Sequence, residues 1–513
     1  MSSESYNAMA SALPDRQLFR SLFHAVARNT NNNASILADS HHQCAYSEIP
    51  ERLDEIQRFL TESSVNGGDC ITLEINNSVR AALSVLALLD AGYSFMTLPV
   101  PGQGARAGGN AVAAAAFSRW ILTVSADKPA NGISLSAPAT YLSIEPNPHF
   151  DPASRIPSDD DPRLFFRTSG SLGTAKLAAF SYRPFFKNVL NALERRGFDP
   201  SHRLALPTPI FHSYGLGAGL LPALAGGASI DLQARSNILK YLEREEVFEP
   251  NVAYVTPAFC ETLIRGRRSG RFYEFMVTSG DRISESAFRR CEDLHGPLVN
   301  QYGTTEMGMV SASELHMPYD LRCRTVGRPV DGVEYRITEI PAGEGTEGTA
   351  GELQIRHAYG FDGYVDLKGN TLVPPNAFDG DWYRTGDLAT MGPEGTLVVL
   401  GRCDLSVNRD GVLLPLAEVE SRMRELEGVD EVAVAPGPAG IRGRGLLAFC
   451  VMSPKLEVTG QQLRATYATK APRYSVPDTV HLLSALPKLE SGKVDRQALA
   501  KLAQEIVQAG AAD

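Results

Sequence analysis

The chain has 513 residues, of which 43% are hydrophobic, and this length suffices for two or three domains with separate cores. Its 49 basic and 59 acidic residues are interspersed and give a formal net charge of −10. The absence of a basic stripe argues against nucleic acid as a partner. The seven cysteines are scattered and form no Cys-x-x-Cys pair, which predicts reduced thiols rather than a disulfide framework or a zinc site.

The N-terminal sequence MSSESYNAMASALPDRQ has neither an apolar core nor an early basic cluster. It therefore does not predict a secretory signal. The most continuous apolar stretch, 111–117, is too short to cross a bilayer. We expect a cytoplasmic protein without a membrane span.

The first half of the chain alternates between strand and helix patterns. Residues 17–60 predict two helices around an Asn-rich turn, Asn31–Asn33. The β-rich run GDCITLEIN is followed by helical spacing over Ser78–Leu89 and by the strand pattern SFMTLPV. The same alternation returns at 118–145 and 203–235. This order favours a parallel sheet with crossover helices.

The second half changes pattern twice. Over 321–400, short strands broken by Gly and Pro predict a smaller β-rich subdomain. After Gly401 a strand pair, a helix at 416–427, further strands and a last helix after Asp495 predict a compact α+β module. The best domain break is near Cys403–Asp404.

The segment Arg167–Lys176, RTSGSLGTAK, combines glycines with small hydroxyl residues. Such residues let the backbone approach a polyphosphate with its N–H groups toward the oxygens, and Lys176 adds a positive charge. The spacing differs from the G-x-x-x-x-G-K-[ST] of a Walker A loop. A Gly/Ser-rich surface turn is the alternative explanation.

A second segment, NQYGTTEMG, places an aromatic residue, two threonines and one acid close together. The ring of Tyr302 can stack on a purine, and Thr304 and Thr305 can bond phosphate oxygens. Glu306 can hold Mg²⁺, a hard cation that prefers carboxylate and phosphate oxygens. The alternative is a strand-to-helix turn with Glu306 near a helix N-terminus.

Three later segments each contain one chemically useful side chain. In DWYRTGDLA, Asp387 follows a glycine and can accept two hydrogen bonds from a ribose diol, although Gly-Asp is also hairpin-turn chemistry. In GRCDLSVNRDG, Arg402 can bond ribose or phosphate oxygens. In LPKLESGKVDRQAL, Lys493 lies on a Ser-Gly loop before a helix, where a lysine is often only solvated.

In order and spacing, these five segments resemble the signature motifs of the adenylate-forming superfamily. This superfamily comprises acyl- and aryl-CoA synthetases, adenylation domains of peptide and polyketide assembly lines, and beetle luciferases. The segment TSGSLGTAK is similar to its phosphate loop, QYGTTE to its aromatic-Gly-x-Thr-Glu motif, and YRTGDL matches a third motif nearly letter for letter. GRCD resembles the hinge segment, LPKLESGKVDR the C-terminal lysine loop, and PTPIFHSYGLG (207–217) the substrate-side motif. The resemblance covers nearly the whole chain.

The resemblance implies an α/β fold. A large N-terminal domain of layered α/β sheets plus a distorted β-barrel would span 1–402. A small, mobile α+β domain would span 405–513, with the hinge at 403–404. The implied activity is that of an AMP-forming acid–thiol ligase, which uses ATP and Mg²⁺ to form an acyl-adenylate and pyrophosphate. The acyl group would then pass to the thiol of CoA or of carrier-protein phosphopantetheine.

The resemblance also implies residue roles. Lys493 would bridge the substrate carboxylate and the α-phosphate, while Thr305 and Glu306 serve the α-phosphate and Mg²⁺. Asp387 and Arg402 would hold the ribose. The β- and γ-phosphates would be cradled by Thr168, Ser169, Gly170, Ser171, Gly173 and Lys176. The other residues expected at the nucleotide are Gly280, Asp281, Asn300, Tyr302, Gly303 and Thr304.

The thiol-transfer step would involve the small domain. By the same resemblance, this domain swings about Asp404, withdraws Lys493 and brings the Gly411 loop to the site. The segment 407–411 reads Val-Asn-Arg-Asp-Gly where Val-Lys-x-x-Gly is common in the family. This departure leaves the acceptor of the acyl group open between CoA, a separate acyl or peptidyl carrier protein, and an amine that would give an amide.

The substrate-side segment bears on the acid. Amino-acid-activating domains typically carry Phe-Asp here, whose carboxylate pairs with the α-ammonium group, whereas this chain has Phe211-His212. A fatty or aryl acid is therefore favoured over an α-amino acid, with His212 lining the pocket; alternatively His212 is a hydrogen-bonded packing residue. A catalytically silent nucleotide-binding homologue and a luciferase-like oxidoreductase are the rival functions.

Overall fold

The computed structural model describes residues 3–29, 34–101, 114–125, 134–154, 161–168, 176–233, 238–266, 270–339, 350–374, 376–409, 412–440, 443–453, 458–488 and 494–510. The α-helices in these ranges are α1 (Ser3–Ala12), α2 (Asp15–Arg28), α3 (Ile49–Glu62), α4 (Val79–Ala91), α5 (Tyr182–Arg196), α6 (Leu221–Gly226), α7 (Ile238–Phe248), α8 (Pro257–Gly266), α9 (Glu285–His295), α10 (Tyr319–Arg324), α11 (Leu416–Arg424), α12 (Gly460–Ala468) and α13 (Arg496–Gly510). A π-helix, Tyr214–Leu220, directly precedes α6.

The strands in the same ranges are β1 (Ile36–Ala38), β2 (Gln43–Ala45), β3 (Cys70–Ile75), β4 (Ser94–Pro99), β5 (Trp120–Val124), β6 (Leu142–Pro146), β7 (Arg163–Thr168), β8 (Lys176–Ser181), β9 (Arg203–Leu206), β10 (Ser229–Leu232), β11 (Val252–Val255), β12 (Phe275–Thr278), β13 (Leu298–Thr304), β14 (Gly308–Ala312), β15 (Arg328–Pro329), β16 (Val333–Glu339), β17 (Gly351–His357), β18 (Gly363–Val365), β19 (Thr371–Leu372), β20 (Phe378–Asp379), β21 (Trp382–Met391), β22 (Leu397–Arg402), β23 (Ser406–Arg409), β24 (Val412–Pro415), β25 (Val429–Gly440), β26 (Gly443–Met452) and β27 (Thr479–Leu482).

The described chain groups into two compact units. Unit 1 comprises Met1–Glu334 and Arg356–Ala377, and unit 2 comprises Tyr335–Ile355 and Phe378–Asp513. The two units are defined by the density of contacts within each of them. The predicted hinge at 403–404 is a statement about domain movement, which this grouping does not test. The hinge and the domain limits drawn from it stay predictions.

Unit 1 contains two large sheets. The first has the strand order β15-β14-β13-β12-β11-β9-β10-β1-β2, and the second has the order β19-β18-β8-β7-β4-β3-β5-β6. Six adjacent strands of the first sheet, from β13 to β1, run parallel, and β2, β14 and β15 are antiparallel additions. The parallel sheet predicted from strand–helix alternation is confirmed.

Helix α4 illustrates how local sequence and burial agree. The Ser78 hydroxyl oxygen accepts a hydrogen bond from the Ala81 amide at 3.2 Å and begins the helix. Gly92, at φ +72°, ends it in a conformation that favours glycine. Every residue from Val79 to Asp90 is buried, so this helix lies inside the core with no solvent-facing side.

Two predicted details were wrong. At 118–145 the expected crossover between parallel strands was wrong, because β6 pairs with β5 in antiparallel register. Between the first two predicted helices, α2 and α3, lies the short antiparallel pair β1–β2. Each of these strands has only three residues, which is too short for a period-2 pattern to be recognised.

Unit 2 contains two small sheets. One has the order β16-β17-β21-β20 with β22 on β21, and register shifts in β17 and β21 bend it into a curled half-barrel. The other has the order β24-β23-β26-β25 with β27 on β26, and α11 packs against β25. The predicted β-rich subdomain and α+β module are thus both present. In the described part of the chain, no helix is long and apolar enough to cross a membrane.

Candidate active site

Two predicted nucleotide segments lie at one end of the nine-stranded sheet. Strands β12 and β13 are parallel neighbours, with Thr278 opposite Asn300. Their carboxyl ends therefore bring the Gly280–Asp281 loop beside the start of the second motif, at the edge where α/β sheets bind ligands. Gly280 adopts φ +92°, and the exposed Asp281 accepts a hydrogen bond from the Arg282 amide at 2.7 Å.

The second motif forms a turn between two strands. Strand β13 carries Tyr302, and β14 returns antiparallel beside it, so the motif joins strand to strand rather than strand to helix. At Gly303 an added Cβ would lie 2.2 Å from the Gly308 carbonyl oxygen, and only glycine fits this approach. Asn300 donates through its amide to the Arg322 and Thr325 carbonyls at 2.8 and 3.2 Å. Its contact with a nucleotide stays a prediction.

The turn itself is fixed from both sides. Thr304 Oγ1 accepts a hydrogen bond from the Met307 amide at 3.1 Å. From α5, the side chain of Asn188 donates to the Met307 carbonyl at 2.9 Å and accepts from the Met309 amide at 3.1 Å. Thr305 is half-buried in this turn and Glu306 is 8% exposed.

One tyrosine connects the first motif with the second. Tyr364 Oη donates to Glu306 Oε1 at 2.5 Å, and the Lys176 ammonium lies 4.1 Å from the centroid of the Tyr364 ring. Strand β18 makes this possible, since it pairs with β8 and sets Tyr364 opposite Ala178. A cation over an aromatic face is attracted by the ring quadrupole. The structure therefore brings the predicted phosphate lysine and the predicted magnesium ligand to a common partner.

Lys176 also marks one end of the phosphate loop. It lies opposite Thr168 across the β7–β8 pair, and the buried Thr168 hydroxyl donates to the Lys176 carbonyl at 3.4 Å. The loop residues between these two partners, which include Ser169, Gly170, Ser171 and Gly173, lie outside the described residues.

The substrate-side segment is held by an asparagine from the other sheet. Asn77, which follows β3, donates to the Leu206 and Thr208 carbonyls at 3.1 and 2.8 Å and accepts from the Ile210 amide at 2.8 Å. Just beyond, His212 is exposed and its ring centroid lies 4.4 Å from that of Phe211. π-Helices frequently occur at functional sites, and one begins two residues later.

In unit 2, the predicted ribose residues form a pair. Asp387 and Arg402 are register partners of β21 and β22, and Arg402 Nη1 donates to Asp387 Oδ1 at 3.3 Å. Arg402 Nε donates to Asp404 Oδ1 at 3.2 Å. Gly386 adopts φ +68°, and an added Cβ would lie 2.7 Å from Arg402 Nη2. The glycine thus gives the guanidinium room beside Asp387.

Two predicted residues of unit 2, Gly411 and Lys493, lie outside the described residues. The chain on both sides of Lys493 is described, and Lys488 and Val494 form an antiparallel bridge. Just after it, Arg496 donates to both carboxylate oxygens of Glu420 at 2.6 and 3.0 Å. The ends of the lysine segment are therefore attached to the α+β module.

The sequence patterns missed Tyr364 and Asn188. Tyr364 lies in the Gly/Pro-broken region, where no periodicity marks individual side chains, and its contacts depend on the pairing of β18 with β8. Asn188 lies on α5 and is buried, and an asparagine among the apolar positions of a predicted helix is the signal that could have found it.

The donor set fits Mg²⁺. In the ranges that the structure describes, no group of three His, Cys, Asp or Glu side chains could hold a metal by itself. Mg²⁺ commonly binds one or two carboxylates and completes its shell with water and substrate phosphates. Glu306 beside Lys176 meets this requirement for a metal that arrives with a polyphosphate.

Comparison with known proteins gives the family. A family model described as AMP-binding enzyme matches residues 22–365, and one described as AMP-binding enzyme C-terminal domain matches 418–493. Salicylyl-CoA synthase / salicylate adenylyltransferase of a Streptomyces species is 26% identical over 509 residues, which cover 92% of this chain and 91% of that protein. Malpibaldin synthetase of Mortierella alpina is 25% identical over 516 residues, which cover 96% of this chain but only 9% of that protein.

A solved structure confirms the fold class. The ATP-bound MatB of Rhodopseudomonas palustris superimposes with a TM-score of 0.75 at 20% identity, over 95% of this chain and 99% of that one. The family model alone covers more than half of the sequence. The chain therefore belongs to the AMP-binding enzymes of the adenylate-forming superfamily.

Proposed function

We propose that this protein is an ATP-dependent acid ligase that forms an acyl-adenylate and then transfers the acyl group to a thiol. The observation that carries the proposal is the contact of Tyr364 with both Lys176 and Glu306. A cation and a buried acid held by one side chain suit a polyphosphate and its metal.

The first step is an in-line displacement at phosphorus. An oxygen of the substrate carboxylate bonds to the α-phosphorus of ATP, the bond to the bridging oxygen breaks, and pyrophosphate leaves. Negative charge builds on the phosphate oxygens, so catalysis needs fixed cations and donors more than it needs an acid or base. Mg²⁺, when bound, neutralises part of that charge.

The residues take the following roles in this proposal. Lys176, with Thr168 and the loop between them, holds the β- and γ-phosphates, and Glu306 holds the metal. Tyr302 stacks on the adenine. Asp387 accepts the ribose hydroxyls, with Arg402 holding its carboxylate in place. The remaining assigned residues at the phosphates and the nucleotide are Thr304, Thr305, Gly280, Asp281, Asn300, Gly303 and Lys493.

A fatty or aryl acid is the proposed substrate class. The exposed His212 stands where amino-acid-activating relatives carry the carboxylate that pairs with an α-ammonium group. The Streptomyces relative is described as acting on salicylate, an aryl acid, and it aligns over nearly its full length. CoA, a carrier protein and an amine remain alternatives for the acceptor.

Acid-dependent exchange of labelled pyrophosphate into ATP tests the first step. We expect exchange with members of a panel of fatty and aryl acids and little with α-amino acids. Lys493→Ala should nearly abolish exchange while ATP binding, measured by equilibrium titration, stays within about threefold. Absence of exchange with every acid would refute the ligase assignment and favour a silent homologue.

The acceptor is identified in the same reaction. CoA, a phosphopantetheine-loaded carrier protein and a simple amine are supplied in turn with an acid that supports exchange. A thioester detected by mass spectrometry supports thiol transfer. An amide formed at a higher rate than any thioester would refute thiol transfer and leave the adenylation step standing.

A further inference from the structure

The end of α5 contains a buried guanidinium without a counter-charge. Arg196 is 8% exposed and donates to the Ser313 carbonyl at 3.1 Å and to Gln301 Oε1 at 3.0 Å. Its Nε has no hydrogen-bond partner among the described residues. No carboxylate of the described ranges pairs with it, whereas the adjacent Arg195 forms an ion pair with Glu314.

Two tyrosines with buried hydroxyl groups are electrostatic neighbours of this arginine. Tyr214, the first residue of the π-helix, and Tyr254, on β11, have ring centroids 5.9 Å apart. The Tyr214 hydroxyl is buried and lacks a hydrogen-bond partner in the described part of the chain. The Tyr254 hydroxyl is likewise buried without a hydrogen-bond partner in that part of the chain. Arg196, Tyr214, Tyr254 and Gln301 are called here the Arg196 cluster.

The Arg196 cluster lacks a negatively charged acceptor. Leaving an ion buried and unpaired costs several kcal/mol, and buried polar atoms without partners call for a specific explanation. A guanidinium has five N–H donors, and the hydroxyl of Tyr214 can donate one more hydrogen bond. A carboxylate matches such a set, since its two oxygens accept from a guanidinium side by side.

The cluster also borders the segments assigned to the acid. Tyr214 follows His212 by two residues, and Gln301 directly precedes Tyr302 on β13. Strand β11, which carries Tyr254, is the neighbour of β12, whose end leads to Gly280. The members of the cluster therefore belong to the same elements as, or to neighbours of, the residues proposed to meet the reactive carboxylate and the nucleotide.

We propose that the acid activated by this protein carries a second carboxylate and that the Arg196 cluster binds it. The inference rests on the proposed function, which supplies the first carboxylate as the reacting group. It narrows the substrate from fatty or aryl acids in general to aliphatic or aromatic dicarboxylic acids.

Wild-type enzyme and matched acids provide the first test. Pyrophosphate exchange is measured with dicarboxylic acids of increasing length, aliphatic and aromatic, and with the monomethyl ester of each, which keeps the size but removes the second charge. We expect at least one diacid to exceed its ester by roughly tenfold or more in kcat/KM, because a buried donor site rejects an analogue that leaves it unpaired. Equal or better exchange with the esters or with plain monoacids would overturn the inference while leaving adenylation intact. Absence of exchange with any acid would overturn both.

Substitutions at Arg196 and Arg195 test whether the Arg196 cluster causes the preference for diacids. Arg196→Met keeps the length of the side chain without its charge. It should lower kcat/KM for the diacid at least about tenfold and leave the monoester within about threefold. Arg195→Met, on the same helix turn, should leave the diacid preference unchanged. If Arg196→Met proves insoluble, the wild-type comparison decides alone; a soluble variant that keeps the diacid preference would refute the role of the cluster.

Discussion

At the scale of single residues, Tyr364 contacts both of the residues proposed to serve the phosphates and the metal. Its hydroxyl holds one oxygen of Glu306, and its ring holds the ammonium group of Lys176. The two contacts use different parts of the side chain, so they can be separated by substitution. Phenylalanine removes the hydroxyl and keeps the ring.

We predict that Tyr364→Phe raises the Mg²⁺ concentration needed for half-maximal exchange by about tenfold, since partners that orient a metal ligand typically contribute that much. Equilibrium ATP binding without Mg²⁺ should change little, because Lys176 keeps its ring contact. Tyr359→Phe removes a remote tyrosine hydrogen bond to Asp331 and serves as the control. An unchanged Mg²⁺ requirement would show that the hydroxyl does not position Glu306.

Asp387 allows a second residue-scale prediction. Asp387→Asn should raise the KM for ATP about tenfold, because a neutral amide accepts weaker hydrogen bonds from a ribose diol than a carboxylate does. Asp379→Asn is the matched control, since Asp379 also pairs with an arginine, Arg336, at 2.6 Å in the same sheet. Equal effects of the two substitutions on the KM for ATP would contradict a ribose role for Asp387.

At the scale of elements, the turn between β13 and β14 depends on α5. Asn188 satisfies two backbone groups of this turn, and both are buried with it. Without the asparagine amide, the Met307 carbonyl and the Met309 amide have to reorganise or stay unpaired. The position of Glu306 should therefore be sensitive to a substitution on a neighbouring helix.

We predict that Asn188→Ala destabilises unit 1 by about 2–4 kcal/mol, since each unpaired buried group costs about 1–3 kcal/mol. Urea unfolding followed by fluorescence measures the effect. Trp120 lies in unit 1 and Trp382, the only other tryptophan, lies in unit 2. In a Trp382→Phe background the signal thus reports unit 1. Asn370→Ala, at an exposed site, should lower the unfolding free energy by less than about 0.5 kcal/mol. Equal losses for the two substitutions would argue that Asn188 does not stabilise the turn between β13 and β14.

The sequence patterns predicted helices and strands better than they predicted contacts between side chains. Helix α4 and its flanking strands follow from helical spacing and apolar runs, and Asp387 and Arg402 were each proposed as site residues from short motifs. The pairing of Asp387 with Arg402 was not predicted, because it depends on the register of β21 against β22. Tyr364 was missed for the same reason, since its position opposite Ala178 joins parts of the chain that no local periodicity connects. The role of Lys493, which lies outside the described residues, depends on the family resemblance alone.

At the scale of the whole molecule, the half-buried His357 makes stability depend on pH. Burial lowers the pKa of His357 from 6.5 to about 4. Its ring lies 3.2 Å from the Asn188 amide nitrogen and accepts from the Tyr359 amide at 3.1 Å. The folded state keeps this ring neutral, while the unfolded chain takes up a proton below pH 6.5. The resulting stability is fully present above pH 6.5 and is lost as the pH falls toward 4.

We predict that this histidine alone removes about 2 kcal/mol of unfolding free energy between pH 7 and pH 5. The difference is measured on unit 1 by Trp120 fluorescence, for the Trp382→Phe protein and for the same protein with His357→Gln. The glutamine variant should lose less stability over that pH range. His149→Gln, at an exposed position, should behave like its parent. Parallel pH profiles for all three proteins would contradict the prediction.

The attachment of the substrate-side segment to Asn77 has a consequence for the order of folding. Its three hydrogen bonds join residues 129, 131 and 133 positions apart in the chain, across two different sheets. Contacts of such separation form late, because a long loop must close first. The surface proposed to recognise the acid should therefore form late in the folding of unit 1. An incompletely folded chain, even one that already contains both sheets, should not yet select its substrate.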